Sequence, residues 1–394
     1  MTNKSVGAQK IKIPYGKQSI SADDISAVVN VLESNFLTQG PVTPEFEDQV
    51  AKYCQSDYAI ATCNATAALH IACRSLDIKE KDIVWTSPNS FVASANCAIY
   101  CGATIDFVDI DPNDYNISIR ALKNKLEFAK SRKQLPKAII VVHFAGFSCD
   151  MESIYQLSQI YGFHIIEDAS HAIGAEYQDS KVGSCQYSDM TIFSFHPVKI
   201  ITSAEGGMVL TNQRSLYQKL LLLRNSGITK DPALMTKEPD GNWYYQQIEL
   251  GYNYRLTDLH AALGLSQLKQ LDHFIDLRRN IAEYYFKKLS HTEIQLPDIK
   301  VQAKSSWHLF VIRLNNLDIR NHVYNDLQLQ GVGVQVHYIP IYQQPYYQQF
   351  NFNHTDYPNC EKYYQTCLSL PIYPELKQAQ QDFVIDIITQ SLAS

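Results

Sequence analysis

Residues 138–142 read Ala-Ile-Ile-Val-Val, an unbroken apolar run between Lys137 and His143. A strand with one wet face alternates apolar and polar residues. A run without alternation predicts a strand covered on both faces, as in a parallel sheet layered between helices. Shorter apolar stretches at 58–62, 82–86, 102–111, 163–168 and 208–210 also read as strands. Helical periodicity lies between and around them. Ser21 can cap a helix with Ile25, Val28, Val29 and Leu32 on one face. Residues 92–100 predict a second helix, and 261–276 a third that continues to about 289 and joins two domains. Strands alternating with helices give an α/β fold with a mostly parallel sheet. Ligands of such sheets bind beyond the carboxyl ends of the strands.

Length suits two units: a large domain, 1–265, and a smaller C-terminal α+β domain, 266–394, with strands at 307–313 and 334–338. A net charge of −6 argues against a nucleic-acid partner, which needs a basic face. No stretch approaches the ~18 uninterrupted apolar residues of a membrane span. The first ten residues are polar, without an apolar signal core. The nine cysteines are odd in number and include no Cys-x-x-Cys. That pattern predicts reduced thiols in a cytoplasmic protein, with neither a disulfide framework nor a metal site.

The chemistry concentrates at strand ends. Phe163-His164-Ile165-Ile166-Glu167-Asp168 ends in carboxylates, and Ser194-Phe195-His196-Pro197-Val198-Lys199 carries a lysine just past another strand. Taken singly, such a lysine is ordinarily solvated and such a carboxylate is ordinarily a cap. Together they suit one task. A desolvated lysine loses its proton more easily, and the neutral amine can form a Schiff base. A carboxylate facing a pyridine nitrogen keeps that ring an electron acceptor, so the pair matches the needs of pyridoxal 5'-phosphate (PLP). Upstream, Asn64-Ala65-Thr66-Ala67 places small residues at a strand-to-helix turn. Open backbone N–H groups there make an anion site, although Asn64 also reads as a plain helix cap. Phe91, just past a strand, reads first as core. The Gly40-Pro41 step predicts a tight turn after Asn35-Phe36-Leu37-Thr38.

Glu167-Asp168-x-x-His171, then Ser194-Phe195-His196-x-x-Lys199, then Glu205-Gly206-Gly207 stand in that order. The set resembles the DegT/DnrJ/EryC1/StrS sugar aminotransferases. The resemblance, which runs from Tyr15 to about Tyr373, implies the fold-type-I, aspartate aminotransferase-like architecture. It implies PLP as cofactor, with Lys199 and Asp168 catalytic. Thr66, Ala67 and Ser194 are expected at its phosphate, Phe91 on the ring face and His171 near the phenolic oxygen. Ala65 departs from the glycine common at that position. Asn253, in Gly-Tyr-Asn-Tyr-Arg, is expected to reach the phosphate of a neighbouring subunit, which implies a homodimer with shared sites. Tyr15, Asn35, Phe36, Leu37, Thr38, Asn64, Arg255, Gln335, Val336, His337 and Tyr338 are expected near the substrate. Residues 87–96, 100–111 and 196–199 look most like the branch acting in pseudaminic acid biosynthesis. That branch implies transfer from L-glutamate to C4 of a UDP-linked 4-keto-6-deoxy-N-acetylhexosamine. Other 4-keto or 3-keto nucleotide sugars, on dTDP or as a UDP-4-keto-pentose, stay open as acceptors, as does a PLP-binding module without activity. The related sugar 3-dehydratases carry histidine where Lys199 stands.

Overall fold

The computed structural model describes residues 12–298 and 303–393. The polar first ten residues, read above for a signal core, lie outside the described residues.

Among the described residues the main sheet has seven strands. They are β1 (Tyr58–Thr62), β2 (Ile83–Thr86), β3 (Thr104–Phe107), β4 (Ala138–Val142), β5 (His164–Asp168), β6 (Met190–Ser194) and β7 (Gly207–Thr211). Their order is β1-β7-β6-β5-β4-β2-β3. Neighbours from β3 through β6 run parallel, and β7 is antiparallel to both β6 and β1. The apolar run behaves as its pattern demands. Ala138 and Ile140 enter one hydrophobic core, while Ile139 and Val141 enter another on the opposite face. Each isoleucine so buried contributes about 1.5–3 kcal/mol.

A polar clamp inside the sheet fixes the end of β5. His143 Nε2 meets Glu167 Oε2 at 2.6 Å, and both side chains are buried. The hydroxyls of Ser188 and Thr191 donate to Glu167 Oε1, the latter at 2.9 Å. Burial alone would raise the Glu167 carboxyl. The bonds from His143, Ser188 and Thr191 outweigh it and hold the group below its ordinary value. A carboxyl depressed in the folded state stabilises above its unfolded value of ~4.3, and that contribution is lost as pH falls toward the lower folded value. Glu167→Gln is therefore expected to lose about 1–3 kcal/mol at neutral pH and to show a flatter stability profile below pH ~4.3. Urea melts across pH check both. An unchanged midpoint at pH 7 would show the clamp to be dispensable.

The first helix matches the sequence expectation, and three later elements depart from it. Helix α1 (Ala22–Leu32) starts at Ser21, in a reciprocal capping box with Asp24. Its apolar face does not turn inward: Ile25 is 59% and Leu32 57% exposed. Asp24 faces inward, where its carboxylate also accepts from Gln267 Nε2 at 2.7 Å. The long helix at 261–289 is two helices, Asp258–Leu268 and Leu271–Leu289, broken at Lys269 and Gln270. The second alone links the cores, with Leu271, Phe274 and Ile275 in one and Ile281, Tyr285 and Leu289 in the other. The strand expected at 307–313 is only Phe310–Arg313, paired antiparallel with Cys367–Leu370. Residues 334–338 form no strand. Gln335 makes an isolated bridge to Ser369, and the Tyr338 N–H goes to the Asn89 side chain at 3.2 Å instead of a ladder.

No helix among the described residues is long and apolar enough to cross a membrane.

Candidate active site

The carboxyl ends of β5 and β6 point at one cavity of about 390 Å³. Asp168 is the last residue of β5 and Ser194 the last of β6. The chain then turns, with Lys199 N–H donating to the His196 carbonyl at 2.9 Å, and brings Lys199 back to the same opening. The first turn of α3 (Ala65–Ser75) supplies Asn64, Ala65 and Thr66. The loop after β2 adds Ser90 and Phe91, and the C-terminal part adds His308, His337 and Tyr338. Wider grooves of about 760 and 820 Å³ lie elsewhere. The smaller cavity is the one where Lys199 and Asp168 meet.

Asp168 is buried and held from both sides. Ser94 Oγ donates to Oδ2 at 2.6 Å, and Ser170 donates to Oδ1 through Oγ at 2.6 Å and through its N–H at 3.2 Å. Ser90 and Ser94 share a bond of 2.7 Å across one turn. Three donors on one carboxylate fix its plane. Sequence reasoning missed Ser94. Its available signal was the i, i+4 serine pair leading into the helix α4 (Ala93–Tyr100).

Part of the Lys199 side chain stays open to the cavity. The surrounding walls still desolvate its ammonium, and this lowers the amine to about 8 against the opposing pull of Asp168. About a tenth of the amine is then neutral at pH 7.

Three buried imidazoles of the cavity, His171, His308 and His337, are held neutral. Burial, followed by the charges of Lys199 and His337, drives His171 far below its ordinary value. His171 Nδ1 accepts from the Ala145 N–H at 3.3 Å. The ring proton therefore sits on Nε2, which faces the Tyr338 hydroxyl at 3.0 Å. Burial pushes His337 down to about 3, and its Nδ1 meets Ser369 Oγ at 2.8 Å. His308, another residue sequence reasoning missed, packs its ring 4.3 Å from that of His171 and is likewise driven down by burial. Lys199, by contrast, is an amine lowered by its surroundings toward neutral pH.

The anion turn has its own fit. Asn64 Oδ1 accepts from the Ala67 N–H at 2.8 Å, so the cap reading is correct as well. Residues 65 and 66, ahead of it, line the cavity. Gly207 explains the second glycine of Glu-Gly-Gly. A Cβ there would stand 2.4 Å from the Asn64 carbonyl carbon and 2.5 Å from the Ala65 nitrogen. Only glycine lets β7 pass so close behind the turn.

The cavity thus gathers Tyr15, Asn64, Thr66, Phe91, Asp168, His171, Ser194, Lys199, His337 and Tyr338 from the expected set. Phe91 is no core residue. It is 59% exposed, with its ring open at the cavity mouth. Ala67 is buried behind the turn, and Gln335 and Val336 only lead into His337. Phe36 and Leu37 lie exposed outside this cavity, and Thr38 bridges to Thr257. Asn253 is exposed. Arg255 donates to Asn225 Oδ1 at 2.6 Å beside the groove of about 760 Å³.

Comparison with known proteins agrees with this geometry. The model of the DegT/DnrJ/EryC1/StrS aminotransferase family matches residues 18–389. The UDP-4-amino-4,6-dideoxy-N-acetyl-beta-L-altrosamine transaminase of Campylobacter jejuni (serotype O:23/36) is 39% identical over 95% of this chain and 96% of its own length. Helicobacter pylori PseC, an aminotransferase of pseudoaminic acid biosynthesis, superposes with a TM-score of 0.89 at 31% identity, covering 97% of this chain and 99% of that one. The PMP form of Spr1654 from Streptococcus pneumoniae superposes with a TM-score of 0.88 at 27% identity, covering 96% and 99%.

Proposed function

Because the chain belongs to the DegT/DnrJ/EryC1/StrS aminotransferase family, we propose that it moves an amino group from L-glutamate to C4 of a UDP-linked 4-keto-6-deoxy-N-acetylhexosamine, using PLP. The observation that carries this reading is the meeting of a deprotonatable lysine and a fully hydrogen-bonded carboxylate in one cavity. The residues present fit PLP. The amides ahead of Ala67 and the Ser194 hydroxyl suit its phosphate, the open Phe91 ring suits its face, and Asp168 suits its ring nitrogen. When bound, PLP supplies the electron sink that lets a carbon-bound proton leave.

The chain's own residues supply the rest. Lys199 Nζ takes the α-proton of the amino donor and returns a proton to the acceptor side in the second half of the cycle. An amine near pH 8 performs both transfers at neutral pH, because neither form is scarce. Asp168 holds a proton on the ring nitrogen through a charge-assisted bond. His171, His308 and His337 stay neutral, so they do not compete for the proton that Lys199 moves.

The working unit in this reading is a cytoplasmic homodimer. Ile25, Leu32, Phe36, Leu37 and Leu250 are exposed apolar side chains, of the kind an interface covers. Asn253 and Arg255, outside their own protomer's cavity, would serve the partner's. Within each protomer, 1–265 forms the cofactor domain and 266–394 the smaller one.

The experiment is incubation of the PLP-loaded protein with glutamate and a panel of 4-keto and 3-keto nucleotide sugars, with products read by mass and proton NMR. The expected product is the C4 amine of the UDP-N-acetyl-6-deoxyhexosamine. Faster turnover of a dTDP-sugar or of a UDP-4-keto-pentose would overturn the acceptor. Failure to form 2-oxoglutarate with any of them would overturn the donor reading as well.

A further inference from the structure

Away from the cavity, three thiols meet where α3 packs on α4. Cys73 lies in the last turn of α3, Cys97 lies in α4, and Cys101 caps the end of α4. Cys97 and Cys101 are four residues apart and share a helix face. Both contact the Cys73 sulfur. Cys73 and Cys97 are fully buried, whereas Cys101 is partly exposed.

The surroundings of Cys101 favour an anion. Its sulfur interacts with the side chains of Cys73 and His70, and the Arg74 guanidinium adds its charge. His70 is only 6% exposed. Its Nδ1 faces the Tyr254 hydroxyl at 3.1 Å, and its Nε2 is buried with no partner of hydrogen-bonding geometry. With the tyrosine donating to Nδ1, the Nε2 carries a proton that has no acceptor. Arg74 Nε is buried and unpartnered in the same way, and its guanidinium meets Glu249 only loosely, at 3.9 Å. The imidazole at the sulfur and the guanidinium charge that reaches it make a setting that a thiolate completes. The rings of Tyr100, Tyr252 and Tyr254 also pack against His70. The bond from Cys73, then His70 and Arg74, holds the Cys101 thiol below its ordinary range despite burial, while Cys73 is raised.

We propose that Cys101 is a peroxide-reactive thiolate and that Cys73 captures its oxidised form. The Cys101 sulfur attacks one oxygen of a hydroperoxide. The O–O bond breaks, hydroxide or alkoxide leaves, and the sulfur becomes a sulfenic acid, oxidised by two electrons. The Cys73 sulfur then attacks that sulfur. An S–S bond forms, the S–O bond breaks, and the hydroxyl leaves as water with the proton of Cys73. Low thiol pKa, access and a neighbouring resolving thiol are the features that select such sites. The product ties α3 to α4, the two helices whose starts supply Thr66 to the cavity and Ser94 to Asp168.

The test uses the reduced full-length protein. Iodoacetamide labelling, read peptide by peptide by mass spectrometry, is expected to find Cys101 modified roughly tenfold faster at pH 7 than an ordinary exposed cysteine. His70→Asn is expected to slow that labelling severalfold. Stoichiometric hydrogen peroxide is expected to give a Cys73–Cys101 disulfide, and Cys73→Ser to stop at a sulfenic acid on Cys101 that dimedone traps. Slow labelling of Cys101 in the wild type, or peroxide products confined to other cysteines, would overturn the proposal.

Discussion

Lys199→Ala is expected to reduce transamination by more than about 10⁴-fold. The size follows from what else lines the cavity. A substitute base must carry a neutral nitrogen or oxygen near the donor carbon and must have comparable basicity. His171, His308 and His337 are neutral, but burial has driven their basicity far down, to about 3 in the case of His337. Asp168 is occupied by Ser94 and Ser170. None of these four takes over, so the loss is large. The variant is still expected to bind PLP through the anion turn, Ser194 and Asp168. Single-turnover formation of 2-oxoglutarate measures the loss, and equilibrium dialysis measures the retained uptake. Activity within tenfold of wild type would contradict the assignment.

The second large effect is at Asp168. Asparagine keeps the shape and can still accept from Ser94 or Ser170, so cofactor affinity is expected to change less than about tenfold. It carries no charge and no longer favours a protonated ring nitrogen. Removing one such preorganised group typically costs about 10²–10³ in turnover. Asp168→Asn should therefore separate the two quantities, with kcat falling by that factor while the PLP Kd stays close to its starting value. Parallel losses in both would assign Asp168 to binding alone. An unchanged kcat would remove it from the mechanism.

The physical signals that carried through the sequence were local. The run at 138–142 predicts a strand covered on both faces because every residue of it is apolar, and its neighbours do enter opposite cores. Asp168, Ser194 and Lys199 were legible as a set because strand ends of a parallel sheet share one edge. Asn64 was legible as a cap from its place before a run of small residues. What failed depended on contacts between distant segments. The break at Lys269–Gln270 has neither proline nor glycine to announce it. Residues 334–338 alternate like a strand, yet their polar groups are claimed by Asn89 and Ser369. Ser94 and His308 enter the site only because α4 and the C-terminal segment fold against the cavity. Asn35 to Thr38 and Arg255, expected near the substrate, and Asn253, expected at a neighbouring subunit's phosphate, do not line this protomer's cavity.

The account rests on Lys199 being the amine that engages the cofactor's aldehyde while Asp168 faces the ring. Sodium borohydride fixes such a linkage permanently. Treatment of the PLP-loaded protein, followed by proteolysis and mass spectrometry, should place one pyridoxyl group per chain on the peptide containing Lys199. A label on another lysine, or no label in protein that has retained its PLP, would contradict it.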